Sequence, residues 1–222
     1  LGLLQQVREF LVAPEGAVGA ARVSGGAGQQ HAEEVVRVAV VAGPAKDDRA
    51  GAARSYGQLS IVAYLRGDDD GALDWVRQSQ VLFEQLGDRS GMAASYHQLG
   101  MIAQTRGDYD NALNWSYRAL ALFEQLGDHA RMALTLSQIG VLYTETEQTA
   151  DAVAFNLKAM ALRLQIQSPD ARIDLHWLSR QRQTLGTDTF HAIVAEHYNP
   201  ESMAELLVLL EQGAATDGDP CH

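Results

Sequence analysis

The hydrophobic and polar positions of the chain follow a helical pattern that restarts every forty residues. In the clearest copy, apolar residues recur at three- and four-residue spacing over 92–105 and again over 109–126. This spacing predicts two amphipathic helices. Gly107-Asp108 separates them, because glycine suits the left-handed position that ends a helix and aspartate caps the next one. The pattern therefore predicts a helical hairpin.

The hairpin is repeated along the chain. Residues 82–88 and 122–128 both read LFEQLGD, forty positions apart. A third copy is weaker but in phase, and it has Thr146-Glu147-Gln148-Thr149 in place of the Arg-Gly-Asp turn. We therefore expect this turn to change shape. Because one hairpin cannot bury its apolar face, stacked neighbours must supply the core. The core repeats are 51–90, 91–130 and 131–170.

The N-terminal part of the chain departs from this pattern. Residues 1–31 combine a short amphipathic helix with a loop rich in glycine and alanine. Residues 32–41 have the spacing of a second repeat helix, so we place the whole array at 32–170.

The C-terminal part predicts degenerate capping helices over 171–213, because terminal repeats must present one face to water. Their helices are expected at 173–185, 187–197 and 200–212, with Asn199 capping the last one. Residues 214–222 are predicted to form a disordered tail.

The repeated unit resembles the tetratricopeptide motif over about 32–185. Its forty-residue period is similar to the long variant of kinesin light chains and of the sensor arms of bacterial signal-transduction ATPases and transcriptional regulators. The resemblance implies an all-α fold, a right-handed superhelical solenoid of antiparallel helix pairs, that binds a protein or peptide. The matching residues are Tyr96, Leu99, Gly100, Ala103, Gly107, Asp108, Tyr109, Ala112, Ala119 and Leu120.

Composition and charge narrow the range of partners. The net charge of -11 disfavours nucleic acid and anionic membrane surfaces, since both are themselves negative. A single cysteine, Cys221, fits a reducing compartment, so we expect a cytoplasmic location. No segment reads as a transmembrane helix or a signal peptide. The sequence begins at Leu1, and we expect it to be part of a longer protein.

Catalytic signatures are missing from the sequence. It has no glycine-rich phosphate loop followed by lysine and no nucleophile elbow. His191 and His197 are six residues apart, which places them on different faces of a helix. Asp68-Asp69-Asp70 aligns with a turn between helices, so we interpret it as a helix cap rather than a calcium site. The sequence predicts no enzyme activity, no metal and no cofactor.

The family resemblance implies that the first helix of each pair lines the concave face where a partner binds. Gln58, Gln98 and Gln138 would form a repeated column, which could hold a peptide backbone or bond to neighbouring helices. Because the face is neutral, it suits a mixed polar and apolar peptide better than an acidic tail. The candidate residues are Arg54, Gln58, Ile61, Tyr64, His97, Gln98, Met101, Gln104, Gln138 and Val141.

Two other functions remain open on the sequence. The chain could sense a small molecule near His176 and Trp177, or it could be a homo-oligomerisation module in which arrays stack end to end. Trp75 and Trp115 occupy matching positions and are predicted to belong to the repeat core, whereas Trp177 has no counterpart. The resemblance also suggests a sensor or docking arm of a larger bacterial regulatory protein.

Overall fold

A computed structural model describes residues 48–168 and 170–214 of the chain. The expectations for residues 1–47 and for the tail beyond Ala214 lie outside these residues. Every regular element in the described part is an α-helix, which confirms the all-α prediction. The chain divides into two compact units, and the described residues of the first are 48–127 and those of the second begin at Asp128.

The first unit consists of two helix pairs. Three-residue turns join the helices of each pair, and the second helix of the first pair packs against the first helix of the second pair. Antiparallel pairing follows from turns this short. The helices are α1 (Arg49–Leu65), α2 (Asp69–Leu86), α3 (Arg89–Thr105) and α4 (Tyr109–Leu126).

Aspartate caps begin the helices where the sequence predicts them. The Asp68 side chain accepts a hydrogen bond from the backbone N–H of Gly71 at 2.9 Å, and Asp108 accepts one from Asn111 at 3.3 Å. Each bond satisfies a backbone donor that the first turn of a helix leaves unpaired. The cap interpretation of Asp68 is thereby confirmed.

Small residues bring the helices of a pair together. Ala53 and Ala72 in the first pair, and Ala93 and Ala112 in the second, are completely buried. Beside these contacts, Trp75 stacks on Tyr56 with ring centroids 5.5 Å apart. Trp115 stacks on Tyr96 in the same way, at 5.4 Å. Both tryptophans therefore pack within their own repeats, but each is only half-buried rather than part of the fully buried core.

The second unit contains the third helix pair and three further helices. The C-terminal helices begin and end within two residues of the predicted positions, and Asn199 accepts a hydrogen bond from the backbone N–H of Ser202 at 2.8 Å. Leu178, Phe190, Val194 and Leu206 are buried in one apolar cluster with residues of α6. The helices are α5 (His129–Glu145), α6 (Thr149–Gln165), α7 (Ala171–Leu185), α8 (Thr187–His197) and α9 (Pro200–Ala214).

The turn between α5 and α6 keeps the shape of its counterparts, contrary to expectation. Glu147 takes the left-handed conformation at φ 62°, where the first two turns have glycine at φ 74°. The backbone hydrogen bonds from Glu147 and Gln148 match those from Gly107 and Asp108. The cap is lost instead, since Gln148 makes no side-chain bond to the start of α6.

A buried ion pair joins α6 to α7. The Arg163 guanidinium lies 2.6 Å from the Asp174 carboxylate, and the two side chains are 5% and 0% exposed. The hydroxyl of Ser137 on α5 donates to the same carboxylate oxygen at 2.6 Å. Burial raises the pKa of Asp174, and the positive charge of Arg163 opposes this rise. The cluster thus fastens α7 onto the third helix pair.

Removing only one charge of this pair should destabilise the second unit. We expect Asp174→Asn to lower the free energy of unfolding by about 3 kcal/mol, because it leaves the Arg163 charge buried without a counter-ion. The double variant Arg163→Met, Asp174→Leu should be close to wild type, since it removes both desolvated charges. Urea denaturation followed by circular dichroism measures both. A double variant as unstable as the single one would contradict this account.

Candidate partner-binding face

Eight of the predicted residues lie on the first helices of the two pairs in the first unit. We call them the α1–α3 stripe. On α1, Arg54 and Gln58 are exposed, Ile61 is 38% exposed and Tyr64 is half-buried. The stripe residues on α3 are all half-buried: His97, Gln98, Met101 and Gln104.

A side chain of the stripe links α3 to α1. The amide nitrogen of Gln98 donates to the backbone carbonyl of Gly57, next to Gln58, at 3.5 Å. This distance is at the long limit for a hydrogen bond, so the bond is weak. Gln58 itself is exposed and has no hydrogen-bond partner within residues 48–168 and 170–214. The glutamines of the column therefore differ in what they contact.

The chemistry of the stripe is neutral and mixed. Ile61, Tyr64 and Met101 offer apolar surface between the amides, and Arg54 is its one permanently charged side chain. Burial raises the pKa of Tyr64, and the negative charge of Asp69 adds to the rise. The Tyr64 phenol consequently stays protonated near neutral pH and can donate a hydrogen bond. His97 and Gln104 have interactions within the chain.

The two remaining candidates, Gln138 and Val141, lie on α5 of the second unit. Val141 is half-buried. Both polar atoms of the Gln138 amide are buried, and neither has a hydrogen-bond partner in the described part of the chain. Gln138 thus differs from Gln58, whose side chain is open to solvent.

Cations that the sequence analysis did not single out lie over the aromatic side chains. The Arg118 guanidinium is 4.7 Å from the ring centre of Tyr96 and 4.9 Å from that of Trp115. Lys158 occupies the equivalent position forty residues later and lies 5.8 Å from the ring of Phe155. The alignment of Arg118 with Lys158 in successive repeats is the sequence signal that could have predicted these contacts between cations and aromatic rings.

Trp177, which the sequence left open, packs among side chains of its own helix. Arg180 lies 5.5 Å from its ring centre, and His176 meets it edge-on at 6.0 Å. No group of three or more histidine, cysteine, aspartate or glutamate side chains within the described ranges is placed to hold a metal ion. Among the helices of residues 48–168 and 170–214, none is both long and apolar enough to cross a membrane.

Comparison with known proteins identifies the repeats. Residues 91–165 match the family described as tetratricopeptide repeat. The tetratricopeptide repeats predicted from the sequence are thereby confirmed over these residues. No curated protein sequence shows significant similarity to the chain.

Solved structures agree with this assignment. Two solved structures are described as nearly identical repeats from a kinesin light chain of Podosopora anserina, and one of them carries a single substitution. Each is 16% identical to this chain, with a TM-score of 0.58. They cover 84% of this chain and 86% or 87% of their own. BtubC (BKLC) from P. vanneervenii is 18% identical with a TM-score of 0.64, over 88% of this chain and 78% of that one. At these identities the likeness shows the fold alone.

The buried amide of Gln138 gives a direct test of its role. We expect Gln138→Leu to raise the free energy of unfolding by about 1 kcal/mol, because a buried polar group without a partner is costly. A leucine should fit at position 138, because the equivalent position forty residues later holds the fully buried Leu178. Urea denaturation measures the change, with Gln58→Leu as the exposed control. If Gln138→Leu instead lowered the free energy of unfolding, the Gln138 amide would have a hydrogen-bond partner.

Proposed function

We propose that the chain is a protein-interaction scaffold and that the α1–α3 stripe binds a segment of a partner polypeptide. The tetratricopeptide repeats and the kinesin-light-chain-like fold support the scaffold role, and such repeats are typically not catalytic. The observation that carries the site is the exposure of Ile61 and half-exposure of Tyr64 beside the free amide of Gln58. Apolar groups flanked by hydrogen-bonding groups are what a polypeptide segment needs.

The composition of the stripe defines the chemistry of the partner segment. Its apolar groups would cover aliphatic or aromatic side chains, while Gln58 and the Tyr64 hydroxyl would pair with backbone or polar groups. The stripe contains no lysine to clamp a terminal carboxylate. The strongly negative net charge of the chain also opposes an acidic tail. We therefore propose a neutral or basic segment that mixes polar and apolar residues.

The family resemblance supports a proposal about the larger protein in which this chain works. Long-period repeats of this kind resemble the sensor and docking arms of larger bacterial regulatory proteins. We propose the same role here, in the cytoplasm. Binding of the partner would be signalled to domains outside this sequence. Identifying the coding sequence on either side of this chain tests that part of the proposal.

A charge placed in the stripe should weaken binding strongly. Peptides selected against the chain from a random library would be measured by fluorescence polarisation. We expect Ile61→Asp to weaken them at least about tenfold, because a carboxylate cannot be desolvated against an apolar side chain. Val81→Asp is the matched control, because Val81 is also an exposed aliphatic residue of the first unit, at 48%, but lies on the second helix.

Two results would contradict the assignment. If Ile61→Asp and Val81→Asp weakened the peptides equally, the stripe would have no special role. If only Val81→Asp weakened them, the second helices would be the binding face. Circular dichroism melting of both variants checks that each keeps its fold.

A further inference from the structure

A cavity of about 310 Å³ lies in the first unit, and none of the residues of the α1–α3 stripe lines it. It opens between α2 and α4, and α3 forms its floor. Leu73, Ala103 and Trp115 supply half-buried apolar walls, and the buried Leu99 and Ile102 lie behind them. A volume of this size is at the small end of the range for small-molecule sites.

The polar groups around this cavity are nearly all engaged. Arg106 is ion-paired with Asp70. Asp108 accepts from the side chain of Asn111 at 2.7 Å and from its backbone N–H at 3.3 Å. Gln80 donates to Glu84 at 2.8 Å. Each of these side chains thus already has one partner within the described residues.

Arg77 is the exception. It lines the cavity, it is exposed, and its guanidinium has no hydrogen-bond or ion-pair partner in residues 48–168 and 170–214. A guanidinium offers a planar fork of donors that fits a carboxylate through two parallel bonds. The cavity therefore combines a cation that has no partner among the described residues with half-buried apolar walls.

We propose that this cavity binds a small organic acid, with one carboxylate carried on an apolar body. The carboxylate pairs with Arg77, and the apolar body lies between Leu73 and Trp115. Among the described residues of the lining, Arg77 is the only cation without a partner, so a monocarboxylate fits better than a dicarboxylate. The proposal is independent of the α1–α3 stripe, which uses different residues and a different ligand.

The test uses 3-phenylpropanoate as the probe and 3-phenylpropanamide as its neutral analogue. Shifts of the Trp115 indole signal in ¹H–¹⁵N NMR spectra of the whole chain give the dissociation constants. We expect the acid to bind at least about tenfold more tightly than the amide, because a charge-assisted bond is lost. Arg77→Gln should reduce acid binding to the level of the amide.

Two further variants localise the site. Ala103→Leu should abolish binding, because residue 103 lines the cavity and leucine would fill it. Arg49→Gln, a change of equal charge at an exposed arginine of α1, should leave binding unaltered. Thermal melting confirms that each variant is folded.

Several outcomes would overturn the proposal. Equal binding of acid and amide, or acid binding that survives Arg77→Gln or Ala103→Leu, would remove Arg77 or the cavity from the site. The blocked peptide acetyl-Phe-Glu-Phe-amide is the comparison for a partner protein. If that peptide bound through Arg77 while the free acid did not, the cavity would accept an acidic side chain rather than a small acid.

Discussion

The close approach of the two helices in each pair is the constraint on which the rest of the structure depends. Alanine at equivalent positions of all three pairs is completely buried, and any larger side chain there would force the helices apart. That separation would also disrupt the ring stacking of Tyr56 on Trp75 and of Tyr96 on Trp115. These alanines are Ala53, Ala93 and Ala133 on the first helices, and Ala72, Ala112 and Ala152 on the second.

This packing determines which side chains remain available for binding. Once the small residues of α1 and α3 face their own partners, the helical period turns other positions of those helices outward. Ile61 and Met101 occupy the same position in successive repeats, and so do Gln58 and Gln98. The Gly-Asp turns keep that register from one helix to the next. A repeated stripe of outward-facing residues is consequently a by-product of a repeated core.

The sequence predicts the helices and their caps well. Glycine ends helices and aspartate caps them through local interactions, and the forty-residue period shows the same pattern in successive repeats. It does not predict the Arg163–Asp174 pair, since charged residues usually indicate solvent and only packing of α7 on α6 buries these two. In the same way, a Tyr at 143 takes over the ring stacking on Phe155 where the repeat has Leu136 in place of Tyr96. The cavity beside Arg77 depends on three helices, so no single segment indicates it.

The claim that the first helices bind the partner is tested most directly by amide hydrogen exchange. The chain would be compared alone and saturated with a selected peptide, with exchange resolved to single helices by mass spectrometry. The account predicts slower exchange in α1 and α3, because bound peptide suppresses their local opening. Slower exchange confined to α2 and α4, with α1 and α3 unchanged, would contradict it.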